Sequence, residues 1–440
     1  MTPDRRLDSY LHAHRDRHVT QLCDWLRIPS VSSQSDHDAD TRRAAAFIAD
    51  ELRGLGLHTE VIPTEGHPLV YAETEQLAGR RTLLFYGHYD VQPTDPLDQG
   101  LSPPFEPEVR DGVIYARGAS DDKGQLYTHV KALEAWLATG EPLPVNVKFI
   151  IEGEEECGGP AVYRYVEQNP DRLACDAVVI SDTSLYDEET PAICYSLRGL
   201  SFMQIDVAGP RADLHSGSFG GVVQNPANAL AAIVAGLKDP DGRVRIPGFY
   251  DAVRELDDQE RRAFASLGFT DDVLLRDTGS PAPFGERGFT TLERMWARPT
   301  CDVNGMWSGY QGEGAKTIIP AGAGAKVSMR LVPDQDPAEI ARLFERHVLA
   351  TAPAGVDVKV SYLHGAAPVM VPRASAMMSA GARAMARGFG REPVLIREGG
   401  SIPIVGTFQS CLKAPVLLLG YGLPNDNIHS PNEKFHLENY

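Results

Sequence analysis

Residues 149–159 read FIIEGEEECGG, which sets four carboxylates (Glu152, Glu154, Glu155 and Glu156) within five positions directly behind an apolar run. Three other short runs close on the same kind of side chain: LLFYGHYD on His88 and Asp90, IYARGASDD on Asp121 and Asp122, and VVISD on Asp182. A further one, PVLLLGYG, leads into a loop that carries His429. Two imidazoles with three or more carboxylates make the mixed nitrogen and oxygen donor set of a borderline divalent cation. Gathered in one place, those carboxylates repel one another, and one or two divalent ions would compensate the charge. Where a carboxylate bridges two such ions about 3.5–4 Å apart, the water held between them is a nucleophile for hydrolysis, and a base is needed beside the ligands.

For these side chains to meet, the runs that carry them must lie side by side with their ends at one edge. An open parallel sheet does this, because ligands gather outside the carboxyl ends of its strands. TLLFYGHYD, GVIYARGASDD, VNVKFIIEG, AVVISD and APVLLLG read as strands. A helix is predicted from about Lys123 to Ala138, ending at Gly140, and another after Gly159. In the first of these, Leu126, Val130, Leu133 and Leu137 form the core stripe. Helical spacing at Leu7, Leu11, Leu22 and Leu26, and again from Ala44 to Leu52, opens the chain with helices. The alternation of strand and helix predicts a mainly parallel sheet with helices on both faces. After Leu200 the rhythm changes: SFMQIDVAG alternates with the strand period, Pro226 to Leu237 reads as a helix opened by proline, and AGAKVSMRLVP reads as a strand. From about Ala374 the helix-then-strand rhythm returns. The expectation is an α/β fold with a discontinuous catalytic domain, residues 1–198 and 369–440, and an inserted α+β domain, residues 199–368.

At 440 residues the chain exceeds one ordinary core, which suits that division. A net charge of −18 argues against nucleic acid or an anionic membrane surface as partner. Six cysteines without a C-x-x-C pair suit a reducing compartment. Charges interrupt the N-terminal stretch and no run approaches the length of a membrane span, so a cytoplasmic protein is expected. GEGAKT lacks the G-x-x-x-x-G-K-[ST] spacing of a phosphate-cradling loop.

The ordered series GHYDVQP (87–93), RGASDDKG (117–124), EGEEECGG (152–159), ISD (180–182), DLHSG (213–217), GEGAKTIIPA (312–321), SMRLVPDQ (328–335), EGGSIPI (398–404) and HSPNEKF (429–435) resembles the carnosinase-like dinuclear metallopeptidases. The likeness is stronger to the cytosolic nonspecific dipeptidases and weaker to the aminoacylases and succinyl-diaminopimelate desuccinylases, and it spans nearly the whole chain. It implies a zinc-exopeptidase-like catalytic domain with an inserted lid and dimerisation domain, and two divalent metal ions per subunit; two histidines among carboxylates accept zinc, named first, or manganese or cobalt. By position it implies His88 and Asp182 as ligands of one metal, Glu156 and His429 of the other, Asp121 as the bridge and Glu155 as general base. Asp90 would hold the second imidazole nitrogen of His88. A cis peptide between Asp121 and Asp122 is implied as well.

The resemblance makes His215 an oxyanion stabiliser acting across the interface of a homodimer. It makes Arg330 the clamp on the substrate's free carboxylate, which a planar guanidinium fits bidentately, with Thr317 and Ser401 as supporting contacts. Cys157 stands where relatives carry a small hydroxyl residue. The implied activity is hydrolysis of dipeptides or short peptides. Removal of an acyl group from an amino acid fits the same residues, and so does a non-catalytic metal-binding scaffold, although a scaffold has no need of an unliganded Glu155.

Overall fold

The computed structural model describes residues 3–440. The chain divides into two compact units, one comprising Met1–Tyr195, Val371–Ile396 and Ile404–Tyr440, the other Ser196–Met370 and Arg397–Pro403.

The first unit is built around a mixed sheet whose successive strands are His58–Ile62, Leu69–Glu73, Asn146–Glu152, Thr82–His88, Ala177–Ile180, Val416–Leu418 and Ala192–Leu197. The middle four are parallel. The flanking pairs are antiparallel. All seven residues of Asn146–Glu152 are buried, as expected of a strand covered on both faces. The helices Asp38–Gly54 and Lys123–Ala138 bury Ala44, Ile48, Leu52, Leu126, Val130 and Leu133 in one cluster with Phe149 and Ile151 of that strand. Leu137, read from the sequence as part of the same stripe, is instead exposed near the helix end.

A separate three-stranded antiparallel sheet pairs Val113–Tyr115 with Glu108–Arg110 and Lys434–His436. The run IYARGASDD therefore differs from its expected form. Its strand stops at Tyr115, and Asp121 and Asp122 stand immediately before the helix Lys123–Ala138 rather than at a strand end. Gly124 lies in the first turn of that helix, where a Cβ would come 1.9 Å from the Ala119 carbonyl oxygen. Only glycine lets the preceding loop fold this tightly onto the helix.

The second unit holds a four-stranded antiparallel sheet in the order Asp302–Ser308, Gly322–Leu331, Gly199–Ala208 and Asp357–Ala366. Gly199–Ala208 alternates buried and half-buried residues over nearly its whole length. Its inward Met203, Ile205 and Val207 pack with Leu230 and Ile233 of the helix Pro226–Gly236 and with Ile340 and Phe344 of Pro337–Thr351. Each of these helices begins with proline behind a capping side chain, Asn225 or Asp336, which accepts a first-turn N–H. Among the described residues no helix is long and apolar enough to cross a membrane.

Candidate metal centre

Strand register brings the first donors together. Thr82–His88 and Asn146–Glu152 run parallel with His88 opposite Glu152, so both strands end at one level. On the other side Tyr86 faces Ile180, which brings Asp182, two residues on, level with His88. The turn after Glu152 then carries Glu155 and Glu156. Asp121 enters from the loop ahead of its helix, through a cis peptide to Asp122. His429 sits in the loop after Val416–Leu418, with a positive φ of 58°.

These donors form two groups that share one residue: His88, Asp121 and Asp182, and Asp121, Glu156 and His429, with ligand atoms in each group all within 4.8 Å of one another. Asp121 Oδ1 lies 3.1 Å from His88 Nε2 and Asp121 Oδ2 lies 2.9 Å from His429 Nε2. Asp182 Oδ2 is 4.0 Å from His88 Nε2, and Glu156 Oε2 is 3.2 Å from His429 Nε2. Asp121 thus offers one oxygen to each group. His88 Nε2 is buried and makes no hydrogen bond although two carboxylates face it. A cation satisfies such an atom, and the imidazole and carboxylate donors fit a borderline divalent ion.

The charges respond as a coupled set. Burial alone would raise Asp121, but the facing imidazoles of His429 and His88 outweigh it and hold the carboxyl well below the usual range. Burial would lower His88, yet Asp121 and Asp90 keep it well above the usual imidazole value. Asp121 and Glu156 push His429 up to about 10. Glu155 lies between these behaviours. Burial, then the charges of Glu156, Asp121 and Asp90, push its carboxyl up to about 7 against the opposing effect of His88. A carboxyl poised there suits proton exchange near neutrality.

The supporting shell is extensive. His88 Nδ1 meets the main-chain oxygen of Asp90 at 3.1 Å and its side-chain Oδ1 at 3.4 Å. The other carboxylate oxygen of Asp90 accepts from the Ser32 hydroxyl at 2.6 Å and the Glu156 N–H at 3.0 Å. Gln92 donates to Glu156 Oε2 at 2.8 Å. The remaining glutamates of the opening cluster have structural partners. Glu152 accepts from the Tyr86 hydroxyl at 2.6 Å, and Glu154 accepts from the N–H groups of His67 and Ala161 at 3.1 and 3.3 Å. Cys157 is exposed, its thiol 3.6 Å from the Glu154 carbonyl oxygen.

Sequence reasoning missed Glu433. This buried carboxylate accepts from Arg117 Nη1 at 2.8 Å and from the N–H groups of Gly118, Ser120 and Asp121 at 2.9, 2.9 and 3.0 Å. It thereby fixes the loop that carries Asp121 from a segment that also carries His429. Its place in HSPNEKF, four residues after a donor histidine, was the available signal.

The other predicted residues lie in the second unit. His215 is exposed on the short strand Leu214–His215, paired with Ile318, and its Nδ1 accepts the Gly217 N–H at 3.0 Å. Thr317 is next to that pairing, its carbonyl accepting the Ser216 N–H at 3.1 Å. Arg330 donates through Nη1 to the Ser401 hydroxyl oxygen at 3.2 Å. The structure therefore groups His215 with Thr317 and Arg330 with Ser401.

Residues 84–440 match the model of peptidase family M20/M25/M40. The chain is 33% identical to the Cys-Gly metallodipeptidase dug1 of Schizosaccharomyces pombe, over 99% of this chain and 95% of that protein. It is 32% identical to the human Beta-Ala-His dipeptidase, over 98% of this chain and 89% of that protein. Among solved structures, the di-peptidase Dug1p of Saccharomyces cerevisiae superposes with a TM-score of 0.86 at 30% identity, covering 100% of this chain and 96% of the other.

Proposed function

The chain belongs to peptidase family M20/M25/M40, and from that membership we propose that it hydrolyses dipeptides or short peptides with the help of two divalent cations. The observation that carries this reading is the pair of donor groups meeting at Asp121. His88 and Asp182 would hold one cation, Glu156 and His429 the other, and Asp121 both. Zinc is the first choice, and the same donors accept manganese or cobalt. Bound there, the cations would lower the pKa of a water and polarise the scissile carbonyl.

The chain's own groups do the rest. Glu155 takes a proton from the attacking water and returns it to the leaving amine, the exchange for which a carboxyl near 7 is suited. Asp90 and its partners keep the His88 ring oriented. His215 steadies the oxyanion, supplied by the second subunit of a homodimer, with Thr317 holding the turn behind it. Arg330 and Ser401 receive the substrate's free carboxylate. In this reading residues 1–198 and 369–440 are the catalytic domain and residues 199–368 the inserted lid and dimerisation domain. The free state of all six cysteines supports a cytoplasmic setting.

The test is amino-acid release from unblocked dipeptides and from N-acetyl and N-succinyl amino acids, using chelator-stripped protein with Zn²⁺ or Mn²⁺ restored. Metal-dependent cleavage of the dipeptides is expected. Cleavage confined to the acylated amino acids would make the protein a deacylase, and no cleavage with metal bound would leave a scaffold.

A further inference from the structure

Arg330 is not the sole guanidinium at its end of the second unit. Across the ladder it faces Leu200, and Arg198 stands two positions earlier on the same segment. One hydroxyl links the Arg330 guanidinium to the Arg198 main chain. Ser401 donates to the Arg198 carbonyl oxygen and accepts from Arg330 Nη1. Arg198 Nε donates to the Gly399 carbonyl oxygen at 3.4 Å, and its main-chain N–H to the Glu398 carbonyl oxygen at 3.3 Å. A Cβ on Gly399 would stand 2.7 Å from Arg198 Nη2, so glycine lets the guanidinium lie against this turn.

The two half-buried guanidiniums share one turn and lack a counter-ion. Elsewhere in this unit Arg397 meets Glu260, Arg298 meets Glu286 and Arg254 meets Asp334. Neither Arg198 nor Arg330 reaches a carboxylate within ion-pair distance among the described residues; their side chains hold only the Gly399 carbonyl and the Ser401 hydroxyl. Asp302, whose charge reaches Arg198, is already bonded to Lys238 at 2.7 Å. Burial and then the charge of Arg330 bring Arg198 down to about 10, and burial lowers Arg330. Both residues remain partly open to solvent. An anion set between two such forks relieves their repulsion and gains charge-assisted hydrogen bonds from each.

We propose that Arg198 is a second substrate-binding residue, forming with Arg330 a two-guanidinium pocket for the C-terminal carboxylate of the peptide. This rests on the dipeptidase reading above and adds to it a residue that the motifs did not single out. The turn Gly399–Ser401 holds both guanidiniums, through the Gly399 carbonyl oxygen and the Ser401 hydroxyl.

The test compares alanylglycine with alanylglycinamide, which lacks the carboxylate, on metal-loaded wild type, Arg198→Met and Arg198→Lys. For Arg198→Met, KM for the acid rises about 10- to 100-fold, while kcat falls less than about threefold and KM for the amide moves less than about twofold. Arg198→Lys, with charge but no fork, recovers only part of the loss. An unchanged KM for the acid, or equal changes for acid and amide, overturns the pocket. Melting temperatures with each compound give a readout free of turnover. Stabilisation of wild type by the acid alone, lost in Arg198→Met, keeps the pocket even if no peptide is cleaved and the dipeptidase reading falls. Dipeptide cleavage that Arg198→Met leaves untouched keeps that reading and removes the pocket. Neither cleavage nor stabilisation of wild type removes both.

Discussion

At Asp121 two imidazoles compete for one carboxylate, His88 at 3.1 Å and His429 at 2.9 Å, and cations that bind there must displace their protons. His429, raised by its carboxylate neighbours, lends stability that is complete below its ordinary value near 6.5 and lost as pH climbs through about 10. Glu155 is a carboxyl raised by burial. Its neutral form favours the folded chain, so that contribution is present below 4.5 and lost as pH rises through about 7. Both effects weaken the metal-free protein at higher pH, where cations also meet less competition from protons. The gain in melting temperature on zinc loading should therefore be larger at pH 8 than at pH 6, measured by calorimetry at matched free metal. An equal or smaller gain at pH 8 would contradict this linkage. Catalysis is probed at the same scale by Glu155→Gln, which keeps the shape of the side chain and removes the base. Its kcat should fall about 10²- to 10⁴-fold with two metals still present by elemental analysis. Near-normal turnover would place the base elsewhere.

The loop 117–121 and the segment 426–436 act as one element because Glu433 joins them. Arg117, buried with it, would be left unpaired by Glu433→Ala, and removing one partner of a buried pair costs about 3–5 kcal/mol. Denaturant titration should show a loss of that size, and zinc affinity should drop about 10- to 100-fold because Asp121 loses its positioning bonds. A variant of wild-type stability that binds zinc normally would show that the clamp is dispensable. This element also marks where the sequence stopped being readable. His88, Asp182 and the Glu155–Glu156 pair were legible because each follows an apolar strand, and the period and buried character of those strands set where they end. Asp121 is legible from its neighbours RGASDDKG, yet its strand is not: VIYARG is apolar enough to read as a strand of the main sheet, whereas Val113–Tyr115 pairs in a small separate sheet closed by residues more than three hundred positions later. Glu433 was invisible for a related reason. Its four bonds go to a loop far away in sequence, and neither composition nor period reports such a partner.

For the whole molecule, the proposed oxyanion role asks His215 to act from outside its own compact unit, since it is exposed on one unit while the metal donors all belong to the other. The homodimer reading makes two linked predictions. Light scattering should give twice the chain mass of 47.9 kDa, and two inactive variants should repair each other. In a mixed dimer of His215→Ala and Glu155→Gln chains, the site with an intact Glu155 receives His215 from its neighbour, and the other site has no base. Equal mixing after dissociation and reassembly should then restore about a quarter of wild-type activity, because half of the dimers are mixed and each has one complete site. If His215 serves its own chain, every site in the mixture lacks one of the two groups and activity stays at the level of the separate variants. Recovery therefore separates action across an interface from action within a subunit, which the chain mass alone does not.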